Sequence, residues 1–126
     1  RVIKLLNKKQ IPIATAKILI LGLAFKENCP DLRNTRVIDV VHELHRQNVD
    51  IDVHDPWVNP EEAQRIYGLE LIQQPEAGKY DAIILAVAHR EFQQLSAAGI
   101  RALGTPQAVL FDVKQVLPRA LVDDRL

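Results

Sequence analysis

The side chains able to do chemistry crowd into residues 22–33, Gly22-Leu-Ala-Phe-Lys-Glu-Asn-Cys-Pro-Asp-Leu-Arg33. Lys26 can act as a point charge on a phosphate, and Arg33 as a bidentate clamp on a phosphate or carboxylate. The competing reading leaves both as solvated loop charges paired with Glu27 and Asp31, a pairing that contributes little at a surface. Phe25 can stack on a base or plug the end of a sheet. Cys29 is a candidate thiol, but nothing beside it in sequence supplies the base a nucleophile needs, so it reads as inert.

The remaining candidates are scattered. His42 and His45 lie three apart at helical spacing, yet no third ligand accompanies them, so they read as a solvated face rather than a metal site. His54 and His89 fall at strand ends, an active-site address, although a turn histidine is the default there. Trp57, after Asp55-Pro56, reads as a cap on the sheet edge. Lys114 follows the last strand and would share a rim with Lys26 in a parallel sheet. Only Gly22 stands after the first strand, so the Gly-x-Gly-x-x-Gly cradle of a dinucleotide fold is missing. No Walker lysine motif, zinc-spaced cysteine pair or nucleophile elbow occurs. No catalytic or metal-binding residue is therefore assigned within this chain.

These residues need elements to hold them. Residues 17–23 form an apolar run, as an interior parallel strand would. A loop of about ten residues follows, where roughly two to six is usual in an α/β unit. Val37, Ile38, Val40, Val41 and Leu44 then recur at helical spacing, with Asn34 or Thr35 as cap and Asn48 as a left-handed stop. Residues 49–53 alternate as a second strand, and Pro60 opens a short helix through Tyr67, with Glu61 and Glu62 near its positive end. Residues 69–72 read as a brief strand, 81–87 as the clearest strand, and 91–95 and 96–103 as one or two helices. Residues 108–111 form the last strand, ahead of a polar-tipped tail to Leu126. Strands alternating with helices imply right-handed crossovers. The expected fold is a three-layer α/β/α sandwich on a mainly parallel, five-stranded, Rossmann-like sheet.

Composition narrows the class. With 126 residues the chain fits one domain that can bury about two-thirds of its unfolded surface. Sixteen basic residues balance sixteen acidic ones, so bulk charge gives no argument for nucleic acid or a membrane surface, and any anion site must be local. A single cysteine excludes an internal disulfide and points to the cytoplasm. No apolar stretch approaches the roughly 18 residues of a membrane span. Residues 1–10 look like the tail of an amphipathic helix, ended near Pro12. A chain that opens on Arg1 and lacks methionine reads as an excised piece, with residues 1–14 an inter-domain helix tail and linker and 15–126 the domain.

The run Gly22-Leu-Ala-Phe-Lys-Glu-Asn-Cys-Pro-Asp-Leu-Arg-Asn-Thr resembles the C-terminal domain of the UDP-glucose/GDP-mannose dehydrogenase family. So do His54-Asp55-Pro56-Trp57, Tyr80-Asp81-Ala82 and Phe111-Asp112-Val113-Lys114, in the same order. The Lys-Glu-Asn-Cys-Pro-Asp-Leu-Arg form with Asp-Pro-Trp most resembles bacterial UDP-N-acetylhexosamine 6-dehydrogenases of surface-polysaccharide synthesis. The resemblance implies oxidation of a sugar C6 alcohol to a carboxylate in two steps with two NAD, through a cysteine thiohemiacetal and then a thioester. It also implies an N-terminal domain that holds NAD, and a C-terminal domain that closes over the substrate's nucleotide. By position, Phe25 and Lys26 match residues facing the UDP-sugar, and Arg33 matches the arginine reaching towards NAD. Lys114 matches a basic residue at the substrate rim. A homodimer is the implied assembly.

The glycine-rich segment bearing the family's nucleophilic cysteine has no counterpart here. Cys29 is not that cysteine, since Asn28 and Pro30 flank it. The chain alone is thus expected to be inactive and to bind UDP-sugar weakly. Two rivals stand beside this. A phospho-receiver domain would put Asp55 and Lys114 at strand ends, but the acidic pair and hydroxyl residue it needs are replaced by Gly22-Leu-Ala-Phe and Ala86-Val-Ala-His89. The other rival is a standalone nucleotide-binding or dimerisation module.

Overall fold

The computed structural model describes residues 2–125; Arg1 and Leu126, the outer ends of the expected helix tail and C-terminal tail, lie outside them. In chain order the elements are α1 (Val2–Lys8), β1 (Lys17–Leu21), α2 (Val37–Arg46), β2 (Asp50–His54), α3 (Pro60–Tyr67), β3 (Tyr80–Leu85), α4 (Arg90–Arg101), β4 (Gly104–Asp112) and β5 (Asp124–Arg125). All pairings are parallel, in the order β2-β1-β3-β4-β5. Parallel alignment puts every strand's carboxyl end on one rim.

Period-two alternation divides the core between the sheet's faces. Ile18, Ile20, Ala82, Ile84, Val109 and Phe111 pack with Leu6 of α1, Val37, Ile38, Val41 and Leu44 of α2, and Ala63 of α3. Leu19, Leu21, Ile83, Leu85 and Leu110 pack on the other face with Phe92, Ala97 and Ile100 of α4 and with Leu117. The three layers are those expected from the alternating pattern. At the amino-terminal rim the sheet is closed by a polar network. The Tyr80 hydroxyl donates to Asp52 (2.8 Å), and Lys17 Nζ lies 3.0 Å from Asp50 and 3.4 Å from Asp52.

The expected set of strands needs a correction. Four strands have five to nine residues, while β5 is a two-residue step, and residues 69–72 form no strand. The cause is local: Gly68, left-handed at φ 66°, ends α3, and the Leu69 N–H turns back to the Ala63 carbonyl at 3.3 Å. Leu69 is thereby committed to closing a helix, and only the Ile72 N–H reaches β2, at Val53 O (3.0 Å). The C-terminal tail is likewise tied down, because Asp123 accepts from Leu110 N–H (2.7 Å) and Arg101 Nη2 (2.9 Å). Helix α4 is broken at Ser96 (φ 63°, ψ 173°), dividing it near the expected boundary of two short helices. Asn48, at φ 60°, takes the left-handed conformation expected after α2.

Candidate functional site

The strand order reverses between β1 and β3, and open α/β sheets hold ligands outside the carboxyl ends of strands at such a point. Residues 22–33 begin there. Gly22 has φ +102°, and a Cβ on it would stand 2.5 Å from Val87 Cβ and 2.8 Å from Val87 N. Only glycine lets β1 leave the sheet this close to the end of β3.

Beside this crossing lies a cleft of about 180 Å³. Its base is apolar, from Ala86, Val87 and Val113, and its margins carry Phe25, Thr35, Arg36 and Lys114. Two of the expected site residues, Phe25 and Lys114, thus share one cleft, although about 90 residues separate them in sequence. Phe25 is 51 % exposed, a large apolar ring left in the open at the rim. Lys26, next along the arch, is exposed and falls outside the cleft's lining. The cleft also receives the start of α2, where Thr35 Oγ1 accepts from Val37 N–H at 3.2 Å. A helix start presents unpaired N–H donors and the positive end of the dipole, so with Arg36 and Lys114 the margin suits an anion and the base suits a flat apolar group.

Arg33 faces elsewhere. It lines a separate, open cleft of about 590 Å³ with Cys29, Glu62, Arg65 and Ile66. Its guanidinium grips Asp31 twice, Nε to Oδ1 at 3.0 Å and Nη2 to Oδ2 at 3.2 Å, while 83 % of its side chain is exposed. That grip lowers the Asp31 carboxyl from its ordinary range, with Lys26 adding a weaker pull. The pairing of Arg33 with Asp31 is therefore present, but it leaves the arginine in solvent. No histidine lines the cleft around Cys29, among the described residues.

What sequence reasoning missed is the device beneath the loop. Asp55 and His89 are buried side by side, with no exposed side-chain surface on either. Asp55 Oδ2 accepts from Leu23 N–H (2.7 Å), Ala24 N–H (2.9 Å) and His89 Nε2 (2.9 Å), and Oδ1 accepts from Trp57 N–H (2.8 Å). Burial pushes this carboxyl up, but the hydrogen bonds from His89, Leu23 and Ala24 outweigh it and hold Asp55 below the usual carboxylate range. The Trp57 ring stacks on His89 at 6.0 Å, anchored by its own Nε1–H to Glu91 (2.8 Å) and covered by the Arg90 guanidinium. Trp57, expected to cap the sheet edge, thus lies against His89 beyond the end of β3. A buried Asp55 with its oxygens filled cannot receive a phosphoryl group, which removes the receiver alternative.

Arg36 also went unnoticed, although its position immediately before α2 is the available signal, since the chain must bring it to the helix's positive end. His54 serves structure, donating from Nδ1 to the Ile72 carbonyl at 3.1 Å. His42 and His45 are exposed on α2, and no group of three potential metal ligands exists among the described residues. No helix is long and apolar enough to cross a membrane, among the described residues.

Comparison with known proteins supplies the family. Over all 126 residues the chain is 48 % identical to a UDP-N-acetyl-D-glucosamine 6-dehydrogenase of Pseudomonas aeruginosa and 47 % identical to one of Salmonella typhi. It spans 30 % of the length of each of these curated relatives. Among solved structures, 98 % of the chain superposes on 28 % of a UDP-D-ManNAc dehydrogenase from Pyrococcus horikoshii, with a TM-score of 0.72 and 24 % identity. An NDP-N-acetyl-D-galactosaminuronic acid dehydrogenase from Methanosarcina mazei gives a TM-score of 0.79 at 23 % identity, over 92 % of this chain and 24 % of that one. At such identities the two superpositions establish the fold alone. The sequence match to a described family goes further: residues 19–119 match the UDP binding domain of the UDP-glucose/GDP-mannose dehydrogenase family, and the chain belongs to that family.

Proposed function

We propose that this chain is the substrate-nucleotide half of an NAD-dependent UDP-N-acetylhexosamine 6-dehydrogenase serving surface-polysaccharide synthesis. The observation that carries the reading is the cleft at the β1/β3 crossing. It combines an apolar base, an exposed aromatic ring, a helix start and two cations, as a uridine diphosphate requires. In this reading Phe25 lies against the uracil. Lys114 and Arg36 neutralise the diphosphate with the N–H groups of α2. Lys26, on the outer side of the arch, addresses the sugar-phosphate as it enters.

Arg33 has a different task. Its own cleft and solvated guanidinium suit a ligand held by another domain, and NAD, which accepts the hydride in each oxidation, is that ligand. The chain would then contribute binding and closure, while the nucleophilic thiol and the NAD cradle lie in a partner domain. A cytoplasmic homodimer is the assembly we propose for the whole enzyme.

Calorimetric titration of UDP into the chain tests this. Saturable binding that Lys114→Ala weakens about tenfold, the loss of one charge-assisted contact, is expected. Absence of binding to the wild-type chain, or robust NAD reduction by it, would overturn the reading.

A further inference from the structure

The arch bearing Phe25 and Lys26 stands on two feet, and both rest on the buried Asp55–His89 pair. The first foot is residues 23 and 24, whose N–H groups both end on Asp55 Oδ2. The second is Asn28, whose N–H ends on His89 Nδ1 at 2.9 Å. A backbone N–H can only donate, so Nδ1 carries the lone pair and the ring is the neutral Nε2–H tautomer. That proton is then the one donated to Asp55. One imidazole thereby joins the carboxylate under the first foot to the amide of the second.

The lock is reciprocal at the second foot. Asn28 Oδ1 accepts from Arg90 N–H at 2.8 Å, capping α4 where its own N-cap residue, His89, makes no side-chain cap bond. Asn28 adopts φ 54°, a left-handed conformation that asparagine tolerates. The His89 ring is held between Trp57 (6.0 Å) and Phe92 (5.6 Å) and is 0 % exposed, so no solvent can replace either ring contact. Elsewhere the loop is tied to itself, by Phe25 N–H to Asp31 O (2.8 Å), and at its far end, by Tyr67 hydroxyl to Leu32 O (2.6 Å).

We propose that His89 is a positioning residue for nucleotide binding, its neutral imidazole linking Asp55 to the Asn28 amide so that Phe25 and Lys26 are presented in one fixed arch. The proposal rests on the reading of Phe25 and Lys26 as nucleotide contacts. Ordering the arch before the ligand arrives removes an entropic cost from binding, so the effect belongs in affinity and not only in stability.

Two substitutions separate positioning from packing. In His89→Asn the side-chain oxygen falls near the Nδ1 position, keeping an acceptor for Asn28 while losing Asp55. In His89→Gln the amide reaches towards Asp55 but leaves the Asn28 N–H unpaired. Both reduce packing against Trp57 and Phe92, so both lower Tm. Amide hydrogen exchange at Asn28, measured without ligand, should quicken about tenfold in His89→Gln and stay within about twofold of wild type in His89→Asn, the scale of one buried hydrogen bond. The UDP dissociation constant should follow the same order. Equal changes in both variants, or no change in either, would reduce His89 to a packing residue and overturn the proposal. Should His89→Gln not fold, His89→Asn carries the test: with the Asn28 acceptor kept, an Asn28 amide that exchanges about tenfold faster than wild type would show that packing and not the Nδ1 link holds the arch, and would overturn the proposal. A wild-type chain that shows the exchange pattern yet binds no UDP refutes the nucleotide reading while leaving the arch's anchoring in place.

Discussion

Single residues at the rim carry sharply different burdens. Gly22 is the least replaceable, because its positive φ and the close approach of Val87 N leave no room for a methyl group. Gly22→Ala should cost about 2–4 kcal/mol, combining backbone strain with overpacking, and a urea unfolding midpoint will read it. Lys114 and Arg36 differ from it in kind. Both are exposed, so their removal should leave Tm nearly unchanged while weakening UDP binding about tenfold each, measured by calorimetry. Lys114 was legible in the sequence because it follows an apolar strand. Arg36 was not, because its chemistry depends on where α2 starts: of the two residues expected to cap that helix, Thr35 is the one whose Oγ1 accepts from Val37 N–H, and Arg36 holds the position between Thr35 and Val37.

Elements explain why the loop could be recognised in sequence but its support could not. Length and charge singled out residues 22–33, both being local properties. Asp55 and His89 stand 34 positions apart and meet only because β1 aligns Leu21 with His54 on one side and with Leu85 on the other. Residues 69–72 err in the opposite sense, since an apolar pattern suited to a strand was taken up by the C-terminal closure of α3. The buried pair gives a prediction at this scale. Asp55 titrates lower in the folded chain than its unfolded value of about 3.9. Its stabilisation is therefore fully present above that value and is lost as pH falls through the folded one. Asp55→Asn keeps a single acceptor oxygen for four donors, so it should destabilise the chain by about 2–4 kcal/mol near neutrality. It should also flatten, without abolishing, the fall of stability below about pH 4, because Asp123, Glu91 and Asp31 are also depressed. Denaturant melts across acid pH will show both effects.

At the scale of the molecule, the two clefts take different parts of one loop, residues 24 and 25 in one and residues 29–33 in the other, and only the smaller combines an aromatic ring, two cations and a helix start. The glycine cradle that would bind a second nucleotide is missing after β1, where a single glycine serves chain packing instead. On the function proposed above, this chain should recognise the substrate's nucleotide and leave NAD to another domain. Ligand linkage makes the division measurable, because a ligand that binds only the folded chain raises Tm by an amount set by its concentration over Kd. For a domain of this size, UDP at a hundredfold excess over Kd should raise Tm by about 10 °C. NAD at the same concentration should leave it within about 1 °C, since Arg33 alone, already gripped by Asp31, offers too few contacts to hold a dinucleotide. Arg33→Ala should leave the UDP shift intact, because Arg33 opens on the other cleft. A larger shift with NAD than with UDP, or loss of the UDP shift in Arg33→Ala, would reverse the assignment of the two clefts.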